Sequence, residues 1–228
     1  MSTRSMPFGV RIRGELACFT RPEMKVERFS YEIITPSAAR GVIEAVLWKP
    51  AIAWRIDRIA LLAPVVFTSF KRNEVNERIS SSNAQAWMKG TKEFEPYHAD
   101  DASNRAQRNT IALRKVDYAV TAHFLMTDKA GPEDNVKKFE EMFIRRLERG
   151  QIHYHPYLGC REFPAIIEPY DGSPQPIACG DYAEKDLGLM LYDMDYRSGP
   201  PFKPLFFRAM MKNGVVEVSQ PEAGKEGP

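Results

Sequence analysis

Cysteine is scarce in this chain, and what there is lacks a pattern. Only Cys18, Cys160 and Cys179 occur among 228 residues. The number is odd and no two form a C-x-x-C pair, which argues against a disulfide framework and against a cysteine-based zinc site. Buried, reduced thiols are the expectation for all three. Long apolar runs are also missing. No stretch approaches the roughly 18 residues needed to cross a bilayer, and the first residues, MSTRSMPFGVRIRG, hold no apolar signal region. A cytoplasmic location with no membrane partner is the reading that follows. Charge of one sign is lacking too: 32 Lys and Arg face 30 Asp and Glu, a net +2. Any surface for nucleic acid must therefore come from local clustering. Glycine-rich phosphate loops are absent, with no G-x-G-x-x-G and no Walker A, as are G-x-S-x-G and H-E-x-x-H. No cofactor and no metal is implied. The acidic pairs Asp100-Asp101 and Asp193/Asp195 could hold a divalent ion, but loop pairs of this kind are far more often solvated turns.

The hydrophobic and charged fractions, 43% and 27%, are those of an ordinary globular protein. The length suits one large domain or two small ones. Val10 to Phe19 alternates as a strand, interrupted near Gly14. Ser37 to Trp48 has helical spacing, with Pro36 and Ser37 at its start and Pro50 forbidding continuation far past Lys49. Ala51 to Phe70 reads as strands, and the polar stretch from Arg72 to Asp101 as a long loop. Val116 to Met126 is a strand by alternation and β-branched content. Asn135 to Arg149 is the clearest helix, with Val136, Phe139, Met142, Phe143 and Leu147 on one stripe and Gly150 as its stop. Gln151 to Glu168 reads as a strand pair, and short strands follow at Leu187–Asp195 and Leu205–Val218.

That order fits an α+β fold: a ferredoxin-like, RRM-like β-α-β-β-α-β unit over residues 1–168 with an inserted hairpin or loop region at about 72–115. A β-rich appendage over 169–220, forming a small C-terminal antiparallel sheet, and a disordered tail at 221–228 complete the expectation.

Three basic clusters stand out. Arg21, Lys25 and Arg28 are interleaved with Phe19, Phe29 and Tyr31 ahead of the first helix. Lys71-Arg72 is the second, and Arg105 to Lys115, with Arg105, Arg108 and Arg114, is the third. Charge runs are usually solvated faces. Together, however, these make a surface for single-stranded or hairpin RNA. Aromatic RNP motifs are absent, so a base-stacking RRM sheet is not supported. Lys137 and Lys138 sit in the first turn of the second long helix, where free N–H groups already favour anions and a cation opposes the dipole. That conflict points to a phosphate-facing role. His153 and His155, two apart in the predicted strand, share one face. They read either as polar edges of a half-buried face or as a general base or phosphate ligand. His123 sits in an apolar alternation and reads as a satisfied core or sheet-face histidine.

The runs FTRPEMKVERFSYEIITPSAARGVIEA and WKPAI, the stretch Ser103 to Arg108, and Arg145 to Ala165 with RRLERGQ and PYLGCREFPA resemble the Cas-five proteins of type I-C CRISPR systems. The resemblance covers about Val10 to Val218. It implies a RAMP-type protein that binds the stem-loop repeat of the CRISPR transcript. It also implies metal-independent cutting at the 3′ base of the stem, by attack of a 2′-hydroxyl on the adjacent phosphate. The protein would then stay on the 5′ handle and join the other subunits of the surveillance complex, with target DNA as a further partner. RNA contact would fall to Arg21, Lys25, Arg28, Lys49, Arg105 and Arg108. The family's Tyr or His before W-K-P is Leu47 here, and its Lys-His pair aligns with Lys138-Phe139. Lys138 would stabilise the charged phosphorane, and the base would pass to His153 or His155, less readily to His123. A subunit that caps the handle without cutting is the rival reading, and a DNA-binding or metal-dependent nuclease a third.

Overall fold

The computed structural model describes residues 3–24, 26–196 and 199–219. Lys25 and the tail 221–228 lie outside the described residues.

The fold is organised by the aromatic face of one sheet. The strands β1 (Phe8–Ala17), β3 (Ile52–Leu61) and β5 (Arg105–Met126) run side by side, β5 antiparallel to both neighbours. Their inward residues meet helix α3 (Val136–Glu148), whose Phe139, Phe143 and Leu147 recur every four residues along one buried stripe. Phe8, Trp54, Phe124 and Phe143 form the cluster, with ring centroids 4.6–6.2 Å apart in edge, tilted and, for Phe8 on Phe124, stacked arrangements. Each such ring contributes about 1.5–3 kcal/mol by burial. The indole of Trp54 is fully buried, and its N–H donates to the carbonyl of Leu47 at 2.8 Å.

Helix α1 (Pro36–Val46) starts where Thr35 Oγ1 accepts from the amide of Ala38, with Pro36 in the first turn. It packs Val42, Ile43 and Val46 into the same core. At the far end of α3, Gly150 adopts a φ of 62°, the left-handed stop expected at a helix C-terminus.

The sheet order is β6-β1-β5-β3-β9-β8-β7, where β6 is Ile166–Pro169, β7 Glu184–Asp195, β8 Lys203–Lys212 and β9 Val215–Glu217. The C-terminal strands join the main sheet through the pairing of β9 with β3. Strands β2 (Arg28–Phe29) and β4 (Phe67–Val75) pair with the outer half of β5. The architecture is thus a large, mainly antiparallel sheet with few helices.

Three local expectations need correction. Strand β5 begins at Arg105, not Val116, because its first half pairs with β4 in an unbroken register from Val75↔Arg105 to Phe67↔Leu113. The region from Arg72 to Asp101 is not simply a loop: β4 runs on to Val75, and helix α2 (Ser81–Met88) is capped by Ser80 Oγ, which accepts from the amide of Asn83 at 3.1 Å. The segment Gln151 to Glu168 is not a strand pair. Only a Tyr157↔Pro164 bridge and β6 form there. Pro156 and Pro164 lack a donor for a ladder, and the segment instead hangs from buried Leu158, Cys160, Phe163 and Ala165.

Gly159 fixes how that segment lies. Its φ is 83°, and a Cβ there would run into the carbonyl of Cys18. Gly159→Ala should lower unfolding stability by about 1–3 kcal/mol, through left-handed strain and the collision. Denaturant unfolding measures this, and an unchanged midpoint would refute it.

Candidate nucleic-acid interface

The loop ahead of α1 is short and tied down. The guanidinium of Arg21 lies 4.7 Å from the centroid of Tyr31 and 5.8 Å from that of Phe29, a cation–π site built from the interleaved aromatics. Its Nε is buried without a hydrogen-bond partner among the described residues. Arg28 reaches Glu74 at 3.4 Å and Glu162 at 3.7 Å. Arg72 pairs with Glu162 as well and its Nη2 lies 3.9 Å from Glu74, while Nε and Nη2 are buried without hydrogen-bond partners among the described residues. Arg72 also faces Arg108 directly across the β4–β5 ladder. Like charges opposite one another disfavour pairing. Glu74 and Glu162 neutralise the group of Arg28, Arg72 and Arg108 only in part.

Period-two alternation separates two residues that the sequence groups. Arg108 and Arg105 are an odd number of positions apart on β5, so their side chains leave opposite faces of the hairpin. Arg105, opposite Val75, is exposed near the hairpin's outer end.

Lys138 is placed by Asn135, whose Oδ1 accepts from the amide of Lys138 at 2.9 Å as the helix cap. Its ammonium donates to Asp134 Oδ1 at 2.9 Å. That hydrogen bond, with the field of Lys49 behind it, holds the carboxyl of Asp134 below its ordinary range. Lys49 and Lys138 therefore flank one carboxylate at the start of α3. Lys137 is similarly balanced by Glu141 at 3.9 Å, so the dipole conflict is answered locally by two carboxylates.

His153 and His155 lie in an exposed loop, not on one strand face. The amide of His153 donates to the carbonyl of Ala45 at 2.7 Å. Both histidines follow the C-terminal end of α3, and Lys138 and Arg149 stand about 16 Å apart along that helix. No hydrogen bond or ion pair joins either imidazole to Lys138 among the described residues. His123 is buried, its Nδ1 2.8 Å from Asp57 Oδ1, and reads as a satisfied sheet histidine. Leu47 and Phe139, which the resemblance aligns with reactive positions, are fully or almost fully buried.

Among the described residues no group of three or more His, Cys, Asp or Glu is arranged to hold a metal. Asp101 is engaged by Ser103, and Asp193 by Arg40. Also among the described residues, no helix is long and apolar enough to cross a membrane.

Cys18 and Cys160 are buried, whereas Cys179 is exposed, against expectation. The Cys160 thiol is pulled down to about 6 by its hydrogen bond with Cys18 and by Arg28 and Arg72, while Cys18 is pushed up by the same bond and by burial. The pair thus carries one shared ionisation, beside the arginine group.

What sequence reading missed is the partnership of Arg40 with Asp193 at 2.8 Å, residues on different elements with no shared motif. It also missed Tyr157 and Arg161, in a segment whose prolines and Gly159 signalled a loop.

Asp134 should titrate below 3.8, its ordinary value, and rise part of the way back in Lys138→Ala, where the amide of Gly131 and the field of Lys49 still hold it down, as read by carboxyl chemical shifts. Because the folded value is depressed, this contact stabilises the fold above that range and is lost as pH falls through it. In a Cys179→Ser background, thiolate absorbance should show a midpoint near 6 that moves up in Arg28→Ala. Depression of this thiol gives stability fully present above its ordinary 9.0 and lost as pH falls through about 6.

Residues 9–219 match the family described as CRISPR-associated protein (Cas_Cas5), in its Cas5d form. A CRISPR pre-crRNA endoribonuclease Cas5d of Mannheimia succiniciproducens is 46% identical over 214 residues, covering 92% of this chain and 93% of that one. A second, of Thermus thermophilus, is 38% identical over 226 residues, covering 92% of this chain and 90% of that one. Two crystal structures share the fold at low identity. One, a CRISPR-associated protein, has a TM-score of 0.69 at 20% identity, covering 97% and 95% of the two chains. The other, a functionally uncharacterized protein of Streptococcus mutans, has 0.67 at 21%, covering 96% and 95%. The chain belongs to the Cas5 family of CRISPR-associated proteins, in its type I-C form.

Proposed function

We propose that this protein is a CRISPR pre-crRNA endoribonuclease that binds the repeat stem-loop, cuts it without metal and stays on the 5′ handle within the surveillance complex. The observation that carries this reading is the similarity, along nearly the whole chain, to two pre-crRNA endoribonucleases at 46% and 38% identity. The arginine group adds physical support. Unsatisfied guanidinium donors on Arg21 and Arg72 are suited to phosphate oxygens, with Arg28 and Arg108 beside them. Lys49, beside Asp134, and Arg105, on the hairpin's other face, complete the set of RNA contacts in this reading. Lys25 is retained in this set from the sequence.

We read residues 1–168 as a ferredoxin-like unit with its insertion at about 72–115, and 169–220 as the appendage. Support comes from the β6-β1-β5-β3 strand order, with α1 and α3 as crossovers. In the chemical step the substrate's 2′-hydroxyl attacks its own phosphate. The P–O5′ bond breaks, and a 2′,3′-cyclic phosphate and a 5′-hydroxyl result. Lys138, at the α3 N-terminus, offsets charge on the phosphorane. His153 or His155 takes the hydroxyl proton. Hydroxyl and phosphorane belong to one linkage, so both groups would have to reach a single phosphate; a centre at the start of α3 keeps Lys138, and one at its end keeps the histidine.

A second reading has its own observation. Leu47 and Phe139 are packed in the core, where the family carries reactive groups. In that reading the subunit caps the handle without cutting.

A synthetic repeat hairpin incubated in EDTA separates the two. Cleavage leaving a cyclic phosphate, slowed about 10²–10³-fold in Lys138→Ala, is the expected result. Tight binding with intact RNA would overturn the catalytic claim and leave the cap. Full-rate cleavage by Lys138→Ala would remove that lysine from the reaction.

A further inference from the structure

A cleft beside α1 has no part in the chemistry above. It is a cavity of about 350 Å³ at the N-terminal half of α1, closed by the loop carrying Tyr154 and Tyr157 and by the end of β7. That volume lies within the range of small-ligand pockets. Its walls are of two kinds. Tyr154 and Tyr157 line one wall, and the hydroxyl of Tyr154 donates to the carbonyl of Gly41 at 3.1 Å, which pins the ring to the helix. The polar wall is Arg40 and Asp193, joined at 2.8 Å, with Ser37 beside them.

The charge count rules against a phosphate here. Arg40 is shared by Glu44 at 3.1 Å and Asp193 at 2.8 Å, so one cation stands against two carboxylates. The helix start is occupied as well. Thr35 Oγ1 accepts from the amide of Ala38 at 3.3 Å, and the amide of Ala39 donates to the carbonyl of Thr35. A flat, neutral ligand that stacks on tyrosine and offers N–H groups to a carboxylate is what remains. Unpaired RNA bases are held in this way, by aromatic stacking and by hydrogen bonds to their Watson–Crick edge. Among the four bases only guanine presents two adjacent N–H donors, N1–H and N2–H, to one carboxylate, while its O6 can accept from Arg40 or Ser37.

The two rings also serve a second hollow. Tyr154 and Tyr157, with His155 and Arg161, line an open depression of about 560 Å³. One tyrosine pair thus borders both spaces, and a neighbouring nucleotide can stack outside while the first is inserted.

We propose that this cleft is a guanine-binding pocket for an unpaired nucleotide flanking the repeat stem, with Asp193 reading the base and Tyr154 and Tyr157 stacking it. The proposal rests on the reading that repeat RNA is the substrate.

The test uses the whole protein and a hairpin blocked by a 2′-deoxy substitution at the cut site, carrying a uridine flank with one guanine moved along it. At one position the wild-type protein should prefer guanine over inosine, which lacks the N2 amine, by about tenfold in Kd. Asp193→Asn should abolish that preference. The double variant Tyr154→Ala/Tyr157→Ala should weaken the flanked RNA about five- to 150-fold, and leave the bare hairpin unchanged. Equal affinity for guanine and inosine at every position overturns the pocket, and this arm needs no altered protein. So does equal weakening of flanked and bare RNA by the tyrosine variant. If the wild-type protein fails to bind the bare hairpin, the substrate reading fails. The flank strand alone, with and without guanine, then still decides the pocket.

Discussion

Strand β5 is the constraint on which the remaining structure depends. It runs for 22 residues, from Arg105 to Met126, and pairs with four other strands. Its inner half is buried against β1, β3 and the helices. Its outer half, with β4, projects as a hairpin whose β4 strand has no buried residue. Lys115, at a φ of 51°, marks the change between the two halves. Because the backbone ladder is continuous, the hairpin's arginines are held in register with the core, and Arg72 and Arg108 cannot move apart to relieve their repulsion.

The core sets the ends of the helices, and the helix ends set the site. The stripe of Phe139, Phe143 and Leu147 seats α3 on the aromatic face and fixes where Lys138 emerges beside Lys49 and Asp134. The same seating carries the loop after Gly150 towards α1, where the amide of His153 meets Ala45 and Tyr154 meets Gly41. Basic and aromatic features remote in sequence thus lie around two ends of one helix pair. Apolar rings fill the inside, and arginines and tyrosines lie at the rim.

Two positions show how the packing bears on chemistry. Leu47 sits where the backbone turns out of α1 and offers its carbonyl to the Trp54 indole. Phe139 stacks edge-on to Phe124 at 6.3 Å. A reactive side chain at either site would have to leave the core to reach RNA.

Sequence by itself determined both long helices, with the caps and stops that bound them. Proline and small polar residues at Pro36-Ser37, Asn135 and Gly150 act through neighbouring backbone alone. It also determined the inner strands, whose alternation reflects one buried face, and the basic character of three segments. Tertiary structure decided the rest. A strand of mixed polarity such as 105–114 cannot be told from a loop until its partner β4 is known, since a two-sided solvated hairpin has no hydrophobic alternation. The loop holding His153 and His155 imitates strand composition, and its prolines and Gly159 overrule it only once Cys18 is seen to lie beneath. The meeting of Arg40 with Asp193, on a helix and a strand 153 residues apart, leaves no local trace. Charge recognition across such a distance is a property of packing, because no short-range rule links the two chain segments.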